Sequence, residues 1–190
     1  MEWKKTYDYA VAGRKVSFDR PVQRLSAWVQ AEKEQGQRTG ESNSADPLNQ
    51  LVETEGWLLD DFIHLSTHYS PEGVRMEISG SGMFEIDPRG RRIEVVQRPV
   101  DERQFEESLL GPPLILALAL QDVWCLHASA VRYRESCLVF LGDSGRGKST
   151  LAAYLAGQAG CSLVSDDILP IESYAGQVRA YANFPQLKLP

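Results

Sequence analysis

Cysteine is scarce: Cys125, Cys137 and Cys161 are the only three, and none forms a C-x-x-C pair. An odd number set in or beside apolar segments points to buried free thiols in a reducing compartment, not to a disulfide framework. Positive charge is also in deficit, with 20 Lys and Arg against 26 Asp and Glu and a net charge of −6. That balance argues against nucleic acid as a partner. The amino terminus, Met1-Glu2-Trp3-Lys4-Lys5-Thr6, lacks the apolar run of a signal peptide. The most apolar window, Leu109 to Leu120, is too short and too proline-interrupted to cross a bilayer. No Leu-Ser-Gly-Gly stretch occurs, which disfavours transporter-type ATPases. Histidine is limited to His64, His68 and His127. The first two are four apart in a strand-like pattern, where that spacing does not make a helical metal pair. The expectation is a soluble, cytoplasmic protein with neither nucleic acid nor membrane as a partner.

What is present is an ordinary globular composition, 43% hydrophobic and 24% charged, around one unusual stretch. Leu138 to Leu141 reads as a short buried strand. Gly142-Asp143-Ser144-Gly145-Arg146-Gly147-Lys148-Ser149 follows, and a helical pattern begins at Thr150. This is G-x-x-x-x-G-K-[ST], the Walker A or P-loop pattern, in its strand–loop–helix setting. The glycines let the backbone wrap close to a polyphosphate, and the helix start presents its positive end to the anion. Lys148 is placed to reach the β- and γ-phosphates of ATP, and the Ser149 hydroxyl to ligate Mg2+. The competing reading, a glycine-rich turn with an incidental lysine, would arise by chance in roughly one chain per hundred of this length.

Along the chain, Tyr7 to Val11 and Val16 to Phe18 suggest two strands around Gly13, and 21–35 has helical spacing. Residues 32–49 are almost wholly polar and read as a mobile linker. Short alternating runs from Leu58 to Val96, punctuated by Ser79-Gly80-Ser81-Gly82 and Asp87-Pro88-Arg89-Gly90, read as an antiparallel meander. Asp101 opens a helix with Phe105, Leu109 and Leu110 on its apolar side. Gly111-Pro112-Pro113 breaks it before a second, buried helix, Leu114 to Gln121. Trp124 to Tyr133 and Ser136 to Leu141 read as one hairpin leading into the phosphate loop. Ser162 to Ser165 reads as a buried strand, and Ile168 to Glu172 with Val178 to Tyr181 as a further hairpin. Phe184, Leu187 and Leu189 alternate as a strand. The expected fold is α/β: a P-loop nucleotide-binding core with a mixed sheet over 101–190, preceded by a small β-rich region over 1–100.

Asp166 and Asp167 follow the strand after the loop helix. That strand is expected beside the loop strand, which would bring both carboxylates toward bound phosphates. One could hold the metal while the other accepts a proton from an attacking hydroxyl. The competing reading is a solvated strand-end turn. His127 sits on a small, apolar stretch leading into the loop strand, with a catalytic or orienting role weighed evenly against a satisfied core histidine.

In order, Leu126-His127-Ala128-Ser129-Ala130-Val131, the phosphate loop, Leu163-Val164-Ser165-Asp166-Asp167 and Pro185-Gln186-Leu187-Lys188-Leu189 resemble the HPr kinase/phosphorylase family. The similarity is strongest to HPr-kinase-like serine kinases, including those of lasso peptide biosynthesis, and covers residues 126–190. It implies an ATP- and Mg2+-dependent kinase acting on a serine hydroxyl of a peptide or protein. Lys148 and Ser149 would handle phosphate and metal, and one of Asp166 and Asp167, with Asp166 favoured, would be the base. His127 would lie close by and Asp167 would be the carboxylate for the metal. Thr150 stands where true HPr kinases carry an acidic residue, which turns the expectation away from HPr itself. Family members also continue past the Pro-Gln-Leu-Lys-Leu segment, so the domain is expected to be C-terminally truncated. A homo-oligomer, or a sheet completed by another chain, follows from that expectation. The alternatives are a nucleotide-binding accessory protein with little catalysis and a small-molecule kinase.

Overall fold

The computed structural model describes residues 5–23, 25, 54–57, 64–98 and 102–182. The linker expected at 32–49, most of the helix expected at 21–35 and the alternation of Phe184, Leu187 and Leu189 lie outside them. The chain divides into two compact units, Met1–Gln121 and Asp122–Pro190. Both are mostly β, the first built on a mixed sheet and the second on two smaller antiparallel sheets.

In the first unit, β1 (Tyr7–Val11) and β2 (Arg14–Phe18) form a hairpin, closed at Ala12 and Gly13 with φ of 50° and 71°. Two successive positive φ values belong to the tight turn whose twist matches that of paired strands. Next come β3 (Thr54–Trp57), β4 (His64–Ser70), β5 (Gly73–Ile78), β6 (Gly82–Ile86) and β7 (Arg92–Gln97). Their order is β1-β2-β7-β6-β5-β4-β3, antiparallel except where β2 runs parallel to β7. The alternation of Val74, Met76 and Ile78, with Phe84, Ile86 and Ile93 on the neighbouring strands, buries one face. Helices α1 (Glu102–Leu109) and α2 (Pro112–Ala119) lie with β6 and β7, so they group with this sheet and not with the phosphate loop. Phe105 stacks on Phe84 with centroids 6.4 Å apart, and Leu109, Leu114, Ala117 and Leu118 are buried beside it. Each such side chain contributes about 1.5–3 kcal/mol by leaving water.

Gly90 joins the turn after β6 to α2. Its φ is +66°, and a Cβ there would stand 2.1 Å from the Ala117 carbonyl oxygen. Gly90→Ala therefore meets a left-handed backbone, costing about 1–2 kcal/mol, and a backbone clash of about 1–3 kcal/mol. The melting temperature is expected to fall by roughly 10 °C. Gly176→Ala, at φ +76° but with nothing within 4 Å, should cost much less. Equal melting temperatures for the two variants would contradict this packing.

In the second unit, β8 (Trp124–His127), β9 (Ser129–Tyr133), β10 (Ser136–Phe140), α3 (Lys148–Ala156), β11 (Cys161–Ser165), β12 (Ile168–Tyr174) and β13 (Gln177–Ala180) follow in turn. One sheet has the order β10-β9-β11 and the other β13-β12-β8. This corrects the expected α/β core: the described strands of this unit pair only antiparallel, and the mixed sheet belongs to the first unit. The strand after the loop helix does not lie beside the loop strand, because β9 pairs with both. Nor is Trp124 to Tyr133 one strand. It breaks at the buried Ala128, whose N–H donates to the Asp167 carbonyl at 3.2 Å, and its halves join different sheets. Leu169, Ala128 and Ala130 form the buried centre, packed by Leu126, Val164, Ile171 and Ala180.

The three cysteines are free, but Cys137 is exposed and the others are half-buried, so the expectation of buried thiols is corrected. Cys137 lies on β10, an outer strand of its sheet whose residues are exposed from Ser136 to Val139. Burial pushes the Cys125 thiol up to about 11. At pH 8 its thiolate population is about 10²-fold below that of an ordinary cysteine. Iodoacetamide should therefore label Cys125 about 10²-fold more slowly in the folded chain than in urea, and the rate should rise about tenfold per pH unit toward 11. Peptide mass spectrometry against time reads this; equal rates in the two states would contradict the burial. Among the described residues, no helix is long and apolar enough to cross a membrane.

Candidate functional site

The phosphate-loop residues fall between β10 and α3. Gly142, Asp143, Ser144, Gly145, Arg146 and Gly147 are all exposed, while Lys148, Ser149 and Thr150 form the first turn of the helix. The helix starts because Gly147 takes φ 83°, ψ 14° at its N-cap, a left-handed conformation that glycine adopts without strain. Its carbonyl accepts the first helical bond, from the Leu151 N–H at 2.9 Å. Lys148 folds back over the loop, its Nζ donating to the carbonyls of Gly142 at 2.8 Å and Asp143 at 2.9 Å. An ammonium has three N–H donors, and these two bonds use two of them. Beside it lies an open cavity of about 290 Å³, lined by Val139, Phe140, Leu141, Arg146, Gly147, Lys148 and Leu151.

Asp166 and Asp167 occupy the turn between β11 and β12, and they differ. Asp166 is buried and accepts a 2.6 Å hydrogen bond from the hydroxyl of Ser129, which is buried too. Asp167 has φ 79°, an uncommon backbone for a residue with a side chain and one that often marks functional positions. Its Oδ1 lies 3.3 Å from His127 Nδ1, with the histidine side chain 61% exposed and the carboxylate 29%. The pairing of β8 with β12, which sets His127 opposite Ile168, brings the histidine there. Ser165 donates from Oγ to the Ile168 carbonyl, closing the turn that carries both aspartates.

Strand register relates the two groups. Phe140 at the end of β10 stands opposite Ser129, and Ser165 at the end of β11 stands opposite Ala130. The ends of β10 and β11 are therefore level, one on each side of the start of β9. The loop leaves from one and the aspartates from the other, with two strand spacings, about 10 Å, between them. His127 lies two residues before Ser129 on the same approach. The loop and the aspartate pair thus leave one end of one sheet, on either side of β9, and His127, from β8 of the other sheet, meets them at Asp167. Ser129 was missed as a site residue. The signal available was a hydroxyl on an otherwise small, apolar run, two residues after a histidine.

For a divalent cation the relevant donors are the Ser149 hydroxyl and the Asp167 carboxylate. Both are hard oxygens, of the kind Mg2+ prefers. Among the described residues, no group of three or more His, Cys, Asp or Glu could hold a metal without help from other ligands. No family model, no curated protein and no solved structure matches the chain.

Proposed function

We propose that the chain is an ATP-dependent phosphotransferase with a P-loop nucleotide-binding core, HPr-kinase-like, acting on a serine hydroxyl of a peptide or protein. The observation that carries this reading is the register of β9, which sets the ends of the loop strand and the aspartate strand level. In the reaction, the serine oxygen bonds to the γ-phosphorus, the bond from that phosphorus to the β–γ bridging oxygen breaks, and ADP leaves. The serine proton passes to a carboxylate, for which Asp166 is favoured. Lys148 orients and neutralises the β- and γ-phosphates. Ser149 and Asp167 would hold Mg2+, which supplies charge neutralisation on the phosphates when bound. His127 fixes the Asp167 carboxylate from the open side.

One observation favours the second reading, a nucleotide-binding accessory protein with little catalysis. Asp166 is only 6% exposed, which leaves a protein substrate little room to reach it. Single-turnover transfer from γ-labelled ATP to a serine peptide, beside calorimetry with Mg-ATP, separates the two. Transfer to the peptide supports the kinase. Tight Mg-ATP binding with no transfer to peptide, small hydroxyl compounds or water supports the accessory role, and no binding removes both.

A further inference from the structure

We propose that Ser129 is a positioning residue, its hydroxyl holding the Asp166 carboxylate in the orientation that proton acceptance requires. This rests on the kinase reading above. Ser129 is 1% exposed and Asp166 6%, and 2.6 Å separates Oγ from Oδ1. A bond of that length from a hydroxyl to a carboxylate is of the short, charge-assisted kind. A carboxylate this deep needs hydrogen-bond donors around it. Ser129 is well placed to be one because it opens β9, the strand that spaces the loop end of β10 from the aspartate end of β11.

The neighbours sharpen the point. Ala128, Ala130 and Val131 on either side are fully buried and apolar. Alanine would suit position 129 as well as serine were it not for Asp166. The hydroxyl is thus tied to a long-range partner, 37 residues away in sequence. The two adjacent aspartates are also held by different means. Asp167 is approached by an exposed histidine from solvent, whereas Asp166 receives a donor from inside the sheet. Ser129 acts on the proton-accepting carboxylate without touching substrate.

The test uses the full chain and the variants Ser129→Ala, Asp166→Asn and the two combined. Carbon-13 NMR of aspartate carboxylates, with the Asp166 signal assigned by its loss in Asp166→Asn, reads the carboxylate without any need for turnover. In Ser129→Ala that signal should move from its parent position at fixed pH, because the hydrogen bond from Ser129 Oγ to Asp166 Oδ1 is gone, and Ser129→Thr, which keeps the hydroxyl, should restore it. Single-turnover transfer to a serine peptide should fall about tenfold at saturating Mg-ATP, with nucleotide affinity within about twofold of the parent. The combined variant should be no slower than Asp166→Asn, since Ser129 acts through that carboxylate. An Asp166 signal unmoved in Ser129→Ala, or effects that multiply in the combined variant, overturns the proposal. A parent chain that transfers nothing overturns the kinase reading alone, and the position of the Asp166 signal in the Ser129 variants still decides whether Ser129 holds Asp166. Should Ser129→Ala fail to fold, Ser129→Thr and Ser129→Val give the same contrast, being alike in shape and differing in the hydroxyl.

Discussion

Lys148→Ala will weaken Mg-ATP binding by about 10- to 100-fold, the value of one or two hydrogen bonds from a charged donor to phosphate. The loop backbone carries no formal positive charge, and the loop's other cation, Arg146, lines the same cavity, so the loss is the share that the Lys148 ammonium supplies. Its position over the Gly142 and Asp143 carbonyls shows that it is already directed at the loop and not into solvent. The residue lies near the surface, so the effect should shrink with added salt. Isothermal calorimetry at two ionic strengths reads both quantities. The melting temperature without nucleotide should barely change, because the lysine fills no core position. Unchanged affinity in the variant would remove the central claim of nucleotide binding.

Asp166→Asn will reduce phosphate transfer by about 10²- to 10⁴-fold, the usual contribution of general-base assistance, while Mg-ATP affinity stays close to that of the parent. Asparagine keeps the size of the side chain and can still accept from Ser129, but it cannot take the serine proton. Asp167→Asn should behave differently. It removes the charge that faces His127 at 3.3 Å and a carboxylate assigned to the cation, so turnover and magnesium dependence should change together. Single-turnover rates across a magnesium series distinguish the two variants. Full activity in Asp166→Asn would show that the base has been misplaced.

How much of this was legible beforehand depended on distance along the chain. The hairpin at Ala12-Gly13, the meander from β4 to β7 and the loop from Gly142 to Ser149 are local, and each carries turn residues or a fixed spacing that can be read directly. Strand order is not local. Nothing in Leu126 to Val131 marks the break at Ala128, because small apolar residues suit one continuous strand as well as two joined at a corner. The insertion of β9 between β10 and β11 arises from pairings that link residues tens of positions apart, such as Leu163 with Val131. The role of Ser129 was hidden for the same reason. A hydroxyl in an apolar run becomes meaningful only once its carboxylate partner is known. The pair Asp166-Asp167 stands out in the sequence as candidate chemistry, but their division into a sequestered and a more open carboxylate is a property of the fold.

The single parallel seam of the first sheet has a kinetic consequence. The meander from β4 to β7 can zip through neighbouring turns, whereas β2 meets β7 through Ser17 with Arg92 and Phe18 with Ile93, more than seventy residues apart. Closing so long a loop must be entropically repaid before those contacts reward it. The β1–β2 hairpin is therefore expected to arrive late in folding, docking Val16 and Phe18 onto a platform already assembled. Native-state hydrogen exchange is expected to show the amides of this hairpin exchanging through an opening smaller than global unfolding.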